Sequence, residues 1–592
     1  MRKFIDQNDS GIDALKLYAL SVFVLVTVAS VMAINVISLT DFVRIIVSCA
    51  MLIGIYSLIL RVFVRHDVSV LIVIVSLTLL PFLPYMRYVA YLLSAFGLAI
   101  LLFHKYKLKK YKLLFLPVSL VIILGSGMYS DFQYQRTLLM GTTHIDTFFH
   151  AAIAAMYSHY GVASIGLDGL VPIAYHTLSH KIMAGLAILT GFEALAVYAY
   201  LFFAMGPLLL VFTLAGFACQ FNSRLNFDRA LLGIALCMLT IISVPIFSQV
   251  AMWDSYFVSE SYLVALVIFA VSLTTFIRYV EGGGADLTLL ASSLTLLIFA
   301  GLAKGSVGLV GICVFGLFGL TKFRTFKYWL LLAIASVFLY FAIIDTATSA
   351  KQFIPVVPLH FISSYVGISY HWPIFAKLLL FFTIHLLPVW ICFIFGVRKL
   401  GAEYFKTNEF QILFALLIPA LLFALTFEMA GGAAYYFSSI PVIISLPYLV
   451  SNLLNLLNEI KFKHVVSVLI LASLIVYPAI VHKSFLMAPV GSQTRNAALL
   501  DIVKKLQYIR VNSAVNTIIK IENSEYIVKV VGCNAYWFLP AVAERPIMAG
   551  LPNASLCPHL GIGLYGLSDY KQSEKKHYSK DIKVLSVNVK NK

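Results

Sequence analysis

One aspartate and three histidines with helical spacing stand out in the segment GTTHIDTFFHAAIAAMYSHYGV, at 141–162. Asp146 and His150 are four residues apart, so they share one face if the segment is helical. A carboxylate beside an imidazole is a common arrangement of a general base and the group that orients it. We therefore predict that Asp146 and His150 are catalytic and that the nearby His144 contacts substrate.

A second polar group lies further along, in YHTLSHK at 175–181, where His176 and His180 are again four residues apart. Lys304 stands alone in GLAKGSVG. Glycines allow close backbone approach, and an isolated ammonium there can hold a phosphate. We predict that substrate is bound by His144, Tyr175, His176, His180, Asp254, Glu260 and Lys304.

The same segments offer ligands for a divalent ion, namely His144, Asp146, His150, His176 and His180. No glutamate directly follows the first histidine of a pair here, as it does in the His-Glu-x-x-His motif of zinc peptidases. Two interpretations stay open: a structural metal ion, or a weakly held Mg²⁺ or Mn²⁺ that bridges a phosphate of the substrate. The sequence assigns no metal ligand.

The composition places these residues in a membrane protein. Of the 592 residues, 61% are hydrophobic and 12% are charged, whereas soluble domains carry about 25% charged residues. Apolar runs of about 20 residues, each long enough to cross a bilayer, recur along the chain. We predict an α-helical polytopic protein with about fifteen spans, at 15–38, 42–63, 68–84, 87–103, 112–128, 192–218, 230–250, 259–278, 286–302, 305–321, 328–345, 373–397, 410–427, 434–453 and 464–484.

The positions of the basic residues predict the orientation. Lysine and arginine recur in alternate loops, such as HKYKLKKYK and TKFRTFKY, which is typical of cytoplasmic loops. This distribution accounts for the net charge of +17 without a nucleic-acid partner. It predicts a cytoplasmic N-terminus and four regions: an N-terminal transmembrane block at 1–128, a large extracytoplasmic loop at 129–191, a transmembrane core at 192–484, and a small extracytoplasmic α/β domain at 485–592.

Two motifs in the predicted outer loop, HIDTFFHAAIA and GLVPIAYHTLSHKIMAGLAILTGF, resemble those of the GT-C superfamily of polytopic membrane glycosyltransferases. The resemblance implies that Asp146 is the base that deprotonates the acceptor. It also implies a sugar donor linked to polyprenyl phosphate, with a lipid-linked or cell-envelope glycan as acceptor. The best-known members carry this loop directly after their first span, whereas about five predicted spans precede it here.

Two other functions remain as alternatives. An outer-leaflet glycan polymerase or ligase of the O-antigen type would share the topology, but we expect arginines in its outer loops, and these loops hold almost none. A lipid or solute transporter is expected to show internal repeats and polar residues at mid-membrane, and neither is evident. We predict a location in the bacterial inner membrane. Whether Cys533 and Cys557 form a disulfide stays open.

Overall fold

A computed structural model describes most of the chain and allows the predicted elements to be compared with observed ones. The residues that it describes are 14–24, 26, 39–63, 65–103, 138, 145–173, 175–221, 225–243, 259–323, 325–349, 356–365, 372–427, 434–459, 497–522, 526, 530, 535–548 and 583–587.

Helices make up nearly all of this structure. Their bounds are α1 Ala14–Val24, α2 Leu39–Phe63, α3 His66–Leu79, α4 Met86–Phe103, α5 Ile145–Tyr160, α6 Leu178–Thr190, α7 Ala194–Phe221, α8 Phe227–Ser243, α9 Glu260–Glu281, α10 Leu287–Ala303, α11 Gly305–Lys322, α12 Phe326–Ser349, α13 His360–Tyr365, α14 Ile374–His385, α15 Leu387–Leu400, α16 Asn408–Thr426, α17 Tyr435–Glu459, α18 Ala497–Asn512 and α19 Ala535–Ala543. There are two short strands among the described residues, β1 Thr517–Ile521 between α18 and α19 and β2 Lys583–Val587 after α19.

Seven of the described helices are long and apolar enough to cross a membrane, namely α2, α4, α7, α9, α11, α16 and α17. Helices α14 and α15 meet the same criteria together but are bent by 58° at their junction. The chain is a helical membrane protein. The predicted spans at 112–128 and 464–484 lie outside the described residues, as do 27–38 and 244–250 of the spans at 15–38 and 230–250. The described parts of the predicted spans fall on helices.

Glycines allow two helix pairs to pack closely. A Cβ on Gly97 of α4 would lie 1.7 Å from the backbone oxygen of Gly54 on α2, and the Ser57 hydroxyl donates to the Gly97 carbonyl at 2.6 Å. In the α10–α11 hairpin, a Cβ on Gly308 would lie 2.6 Å from the Cα of Gly301. Small residues at such crossings let helices associate in lipid through backbone contact.

Helix α5 is buried within the described structure, although the sequence predicts that it lies in a large outer loop at 129–191. Ala151, Ala152, Ala154 and Ala155 are fully buried, so α5 is covered on several faces. It packs against α6 on one side and against α19 on another. Because α6 has 13 residues, it is too short to cross a bilayer.

The described C-terminal residues combine two helices with a small parallel sheet. Strands β1 and β2 pair in parallel, with Thr517 opposite Lys583. Ile547 forms parallel bridges to Ile519 of β1 and to Leu167, which lies in the loop after α5. The loop after α5 and the C-terminal residues therefore form one hydrogen-bonded unit, although they are far apart in sequence.

Candidate functional site

Polar side chains from separate segments converge at one end of the helix bundle. Helix α5 contributes two of them, the loop before α6 contributes two more, and single residues come from α6, the start of α9, the α10–α11 junction and the start of α17. They are Asp146, His150, Tyr175, His176, His180, Glu260, Lys304 and Tyr436.

Local sequence explains how two of these residues are presented. Ser259 caps α9 by accepting a hydrogen bond from the Tyr262 backbone N–H at 3.4 Å, so that Glu260 is the first residue of the helix. A carboxylate is stabilised there by the unpaired N–H groups of the first turn. Lys304 alone separates α10 from α11, and its extended backbone, with φ −152° and ψ 112°, reverses the chain between them.

His150, His180 and Glu260 form a compact buried cluster. His150 Nδ1 lies 2.8 Å from His180 Nε2, and His150 Nε2 lies 3.0 Å from Glu260 Oε2. The third pair, His180 Nε2 and Glu260 Oε1, is 3.7 Å apart. All three residues are buried, with His180 and Glu260 fully so. The Tyr198 ring, in the π-helical segment of α7, lies nearly parallel to the His150 ring with 5.9 Å between centroids.

Lys304 is a buried cation beside this cluster. Its Nζ lies 3.4 Å from His176 Nε2, 3.5 Å from the Ser259 hydroxyl and 3.9 Å from the centroid of the Tyr436 ring. Burial lowers the pKa of Lys304 to about 8, although the charges of Glu260 and Asp146 oppose the shift. Asp146 is thus near enough for its charge to act on the ammonium. A desolvated ammonium of this kind is suited to binding a phosphate.

Aromatic rings line the approach to the cluster. The Tyr175 ring stacks on His176 with centroids 3.8 Å apart, and Phe149 meets Tyr175 edge-on at 5.3 Å. Trp537 of α19 packs against Phe149 at 5.2 Å, so the C-terminal residues help to form this wall. Flat apolar faces beside polar groups are suited to a ligand that combines a ring with polar substituents.

The side chains of the site differ in exposure to solvent. Asp146, Tyr175 and His176 are partly exposed. Behind them, His150, His180, Glu260 and Lys304 are buried. Asp146 is therefore more exposed than the His150–His180–Glu260 cluster.

The structure brings together seven of the residues that were predicted from sequence: Asp146, His150, Tyr175, His176, His180, Glu260 and Lys304. The other two, His144 and Asp254, lie outside the described residues. Asp146 and His150 do lie one turn apart on α5, as the spacing predicts. However, the carboxylate that lies beside His150 Nε2 is that of Glu260.

Sequence reasoning missed several contributors to the site. Ser259 and Ser261 lie within 3.5 Å of Lys304 and His176 respectively, and Trp537 arrives from the distant α19. A serine before an acidic residue at the start of an apolar run is a helix-cap signal that points to Ser259. No sequence signal connects Trp537 with α5.

The chain was compared with protein-family models, curated proteins and solved structures, and no family model, curated protein or solved structure matches it.

Proposed function

We propose that this protein is a membrane glycosyltransferase that transfers a sugar from a polyprenyl-phosphate donor to a lipid-linked or cell-envelope glycan. The supporting observation is the juxtaposition of a partly exposed carboxylate, Asp146, with a buried ammonium, Lys304, in a site walled by aromatic rings. Transfer from an activated phosphate-linked sugar needs a base for the acceptor and a cation for the leaving phosphate. This pair supplies both.

Asp146 acts as the general base in this mechanism. It removes the proton of the acceptor hydroxyl while that oxygen attacks the anomeric carbon of the donor. The bond between that carbon and the phosphate oxygen breaks, and the phosphate departs with the bonding electrons. The Lys304 ammonium, 3.4 Å from His176 Nε2, neutralises the charge that develops on the phosphate. The rings of Tyr175 and Tyr436 pack against the sugar.

The proposed topology extends the observed helices. It comprises about fifteen spans, a cytoplasmic N-terminus and a small α/β C-terminal domain on the extracytoplasmic face of a bacterial inner membrane. Support comes from the alternation of basic and non-basic loops along the sequence. The site then opens at the outer leaflet, where a donor anchored by its lipid is within reach.

Transfer of a radiolabelled sugar by purified protein tests the proposal. Wild type, with a set of polyprenyl-phosphate sugars and membrane-derived acceptors, is expected to produce labelled glycan or glycolipid. Asp146→Asn is expected to produce little, at unchanged protein yield. Absence of transfer from every donor by well-folded wild-type protein would refute the transferase assignment.

A proton-coupled lipid or solute transporter is the second candidate. It is favoured by the contiguous buried contacts His180–His150–Glu260, because chains of ionisable groups carry protons in membrane transporters. Proteoliposomes distinguish the two functions. A transporter moves an intact labelled lipid-linked sugar across the bilayer in response to a pH gradient, whereas a transferase changes its chemical form without a gradient.

A further inference from the structure

The His150–His180–Glu260 cluster has the composition of a transition-metal site. Each residue offers one ligand atom, and these atoms all lie within 4.8 Å of one another. The ligands come from α5, α6 and α9, so an ion there would join three helices. Around a tetrahedral Zn²⁺ with bonds of about 2.0–2.1 Å, ligand atoms are roughly 3.3 Å apart. Two of the observed contacts meet at His180 Nε2, which lies 2.8 Å from His150 Nδ1 and 3.7 Å from Glu260 Oε1, on either side of that separation.

The Glu260 carboxylate supplies the second observation. It is fully buried, and neither of its oxygens has a hydrogen-bond partner of acceptable geometry among the described residues. A buried carboxylate that lacks well-aligned hydrogen bonds gains further stability from a bound cation, in addition to what the start of α9 and the His150 contact supply. Lys304 contributes charge from nearby, but its own close contacts in the described structure are with His176, Ser259 and Tyr436. The carboxylate oxygens instead face two imidazole nitrogens, which are themselves metal ligands when neutral.

The chemistry of the ligands selects the ion. Two imidazole nitrogens and one carboxylate oxygen suit Zn²⁺ and similar first-row ions, whereas Mg²⁺ prefers oxygen ligands and retained waters. The composition therefore favours a first-row transition-metal ion over the Mg²⁺ considered from sequence alone. His176, which the sequence also offered as a ligand, has its Nε2 at 3.4 Å from the Lys304 ammonium, and a neighbouring cation disfavours metal binding there.

We propose that His150, His180 and Glu260 bind one Zn²⁺-class divalent ion. Three protein ligands leave a fourth coordination position for water or substrate. The ion would compensate the buried Glu260 charge and hold α5, α6 and α9 together. The proposal does not depend on the glycosyltransferase function, because it rests on the cluster alone.

Metal content of the purified protein tests the proposal directly. Wild type, His180→Asn, Glu260→Gln and the control His159→Asn are prepared with an affinity tag that contains no histidine. Each is loaded with Zn²⁺, freed of excess by gel filtration and assayed by mass spectrometry for metal. His159 is on the same helix as His150, but its Nε2 contacts Glu544 instead of the cluster, at 3.2 Å.

About one zinc per chain is expected in wild type and in His159→Asn, with affinity lowered at least about tenfold in the two cluster variants. Excess Mg²⁺ is expected not to displace the zinc. Co²⁺-loaded wild type is expected to show the visible absorption of a four-coordinate ion, which gives a test even if the variants do not fold. Sub-stoichiometric zinc in wild type, or equal zinc in folded cluster variants, would overturn the proposal. Neither readout involves sugar transfer, so the two proposals can fail separately.

Discussion

The ammonium of Lys304 lies 3.9 Å from the centroid of the Tyr436 ring, at the single residue that separates α10 from α11. The aromatic face stabilises a desolvated cation there. The carboxylates of Asp146 and Glu260 act on the same charge from two other helices. This arrangement holds a charged group at a buried position beside two carboxylates and an aromatic ring.

Under the proposed glycosyltransferase function, replacing Asp146 by asparagine is expected to reduce sugar transfer by about 10²–10⁴-fold, because an amide cannot take up the proton of the acceptor hydroxyl. The matched control is Asp168→Asn. Asp168 lies in the loop after α5 at φ 57°, a left-handed conformation that asparagine also adopts. Initial rates at saturating donor measure the effect. Equal losses in both variants would indicate a general disturbance of the loop rather than loss of a base.

Replacing Lys304 by methionine is expected to raise the KM for the phosphate-linked donor by about 10- to 100-fold, the range for one charge-assisted hydrogen bond. Methionine retains much of the apolar stem but cannot hold a phosphate. Lys322, at the far end of α11, gives the control substitution Lys322→Met. Donor titrations with both variants measure the difference. An unchanged KM in Lys304→Met would show that Lys304 does not bind the donor.

The pH dependence of donor binding follows from the same residue. Lys304, with its pKa lowered to about 8 by burial, is protonated below that pH and becomes neutral above it. We expect donor binding by wild type to weaken as pH rises through about 8. Lys304→Arg should stay charged and keep its donor affinity at higher pH. KM measured from about pH 6 to about pH 10 in both proteins tests this, and coincident profiles would contradict it.

Glu544 is expected to stabilise the attachment of the C-terminal residues to the membrane core. Its carboxylate accepts a hydrogen bond from the Ala194 backbone N–H at 2.7 Å and lies 3.2 Å from His159 Nε2. Glu544→Gln should lower the free energy of unfolding by about 1–3 kcal/mol at neutral pH. Thermal unfolding in detergent measures this loss. Glu403→Gln is the control, because its ion pair with Lys406 is exposed and should matter little.

The effect of Glu544 on stability at acid pH has a defined direction. Burial alone would raise the pKa of the Glu544 carboxyl, but His159, Arg510 and the Ala194 N–H hold it below its ordinary value of 4.5. A carboxyl with a lowered pKa contributes stability that is complete above its ordinary value and is lost as pH falls through the folded value. Wild type should therefore lose stability below pH 4.5 more steeply than Glu544→Gln. If wild type and Glu544→Gln lost stability equally as pH falls, protonation of Glu544 would not contribute to acid unfolding.

The contact between α2 and α4 is expected to tolerate no added side chain. In Gly97→Ala the new Cβ would lie 1.7 Å from the Gly54 oxygen, so the helices must separate. A destabilisation of about 1–3 kcal/mol is expected. Gly216→Ala on α7 is the matched control, because a Cβ added there would meet no described atom within 4 Å. Equal thermal midpoints for the two variants would exclude a tight α2–α4 contact.

The amino-acid sequence was enough to establish that the chain is a helical membrane protein and approximately where its helices run. In lipid, only helices and closed β-barrels satisfy every backbone polar group, and continuous apolar runs of about 20 residues lack the alternation of barrel strands. The spans predicted at 286–302 and 305–321 agree with α10 and α11 almost residue for residue, because Lys304 interrupts an otherwise continuous apolar stretch. The same reasoning singled out ionisable residues such as His180 and Glu260, because charge is rare in such a chain.

Which of these residues meet was set by the tertiary structure. Helical spacing relates Asp146 to His150, but it carries no information about α9, whose Glu260 is distant in sequence and contacts His150 at 3.0 Å. The same limit applies to Ile547, which bridges Leu167 and Ile519. Contacts of this kind depend on how helices and loops pack against one another, and that packing is set by the summed shapes of many side chains rather than by any local pattern.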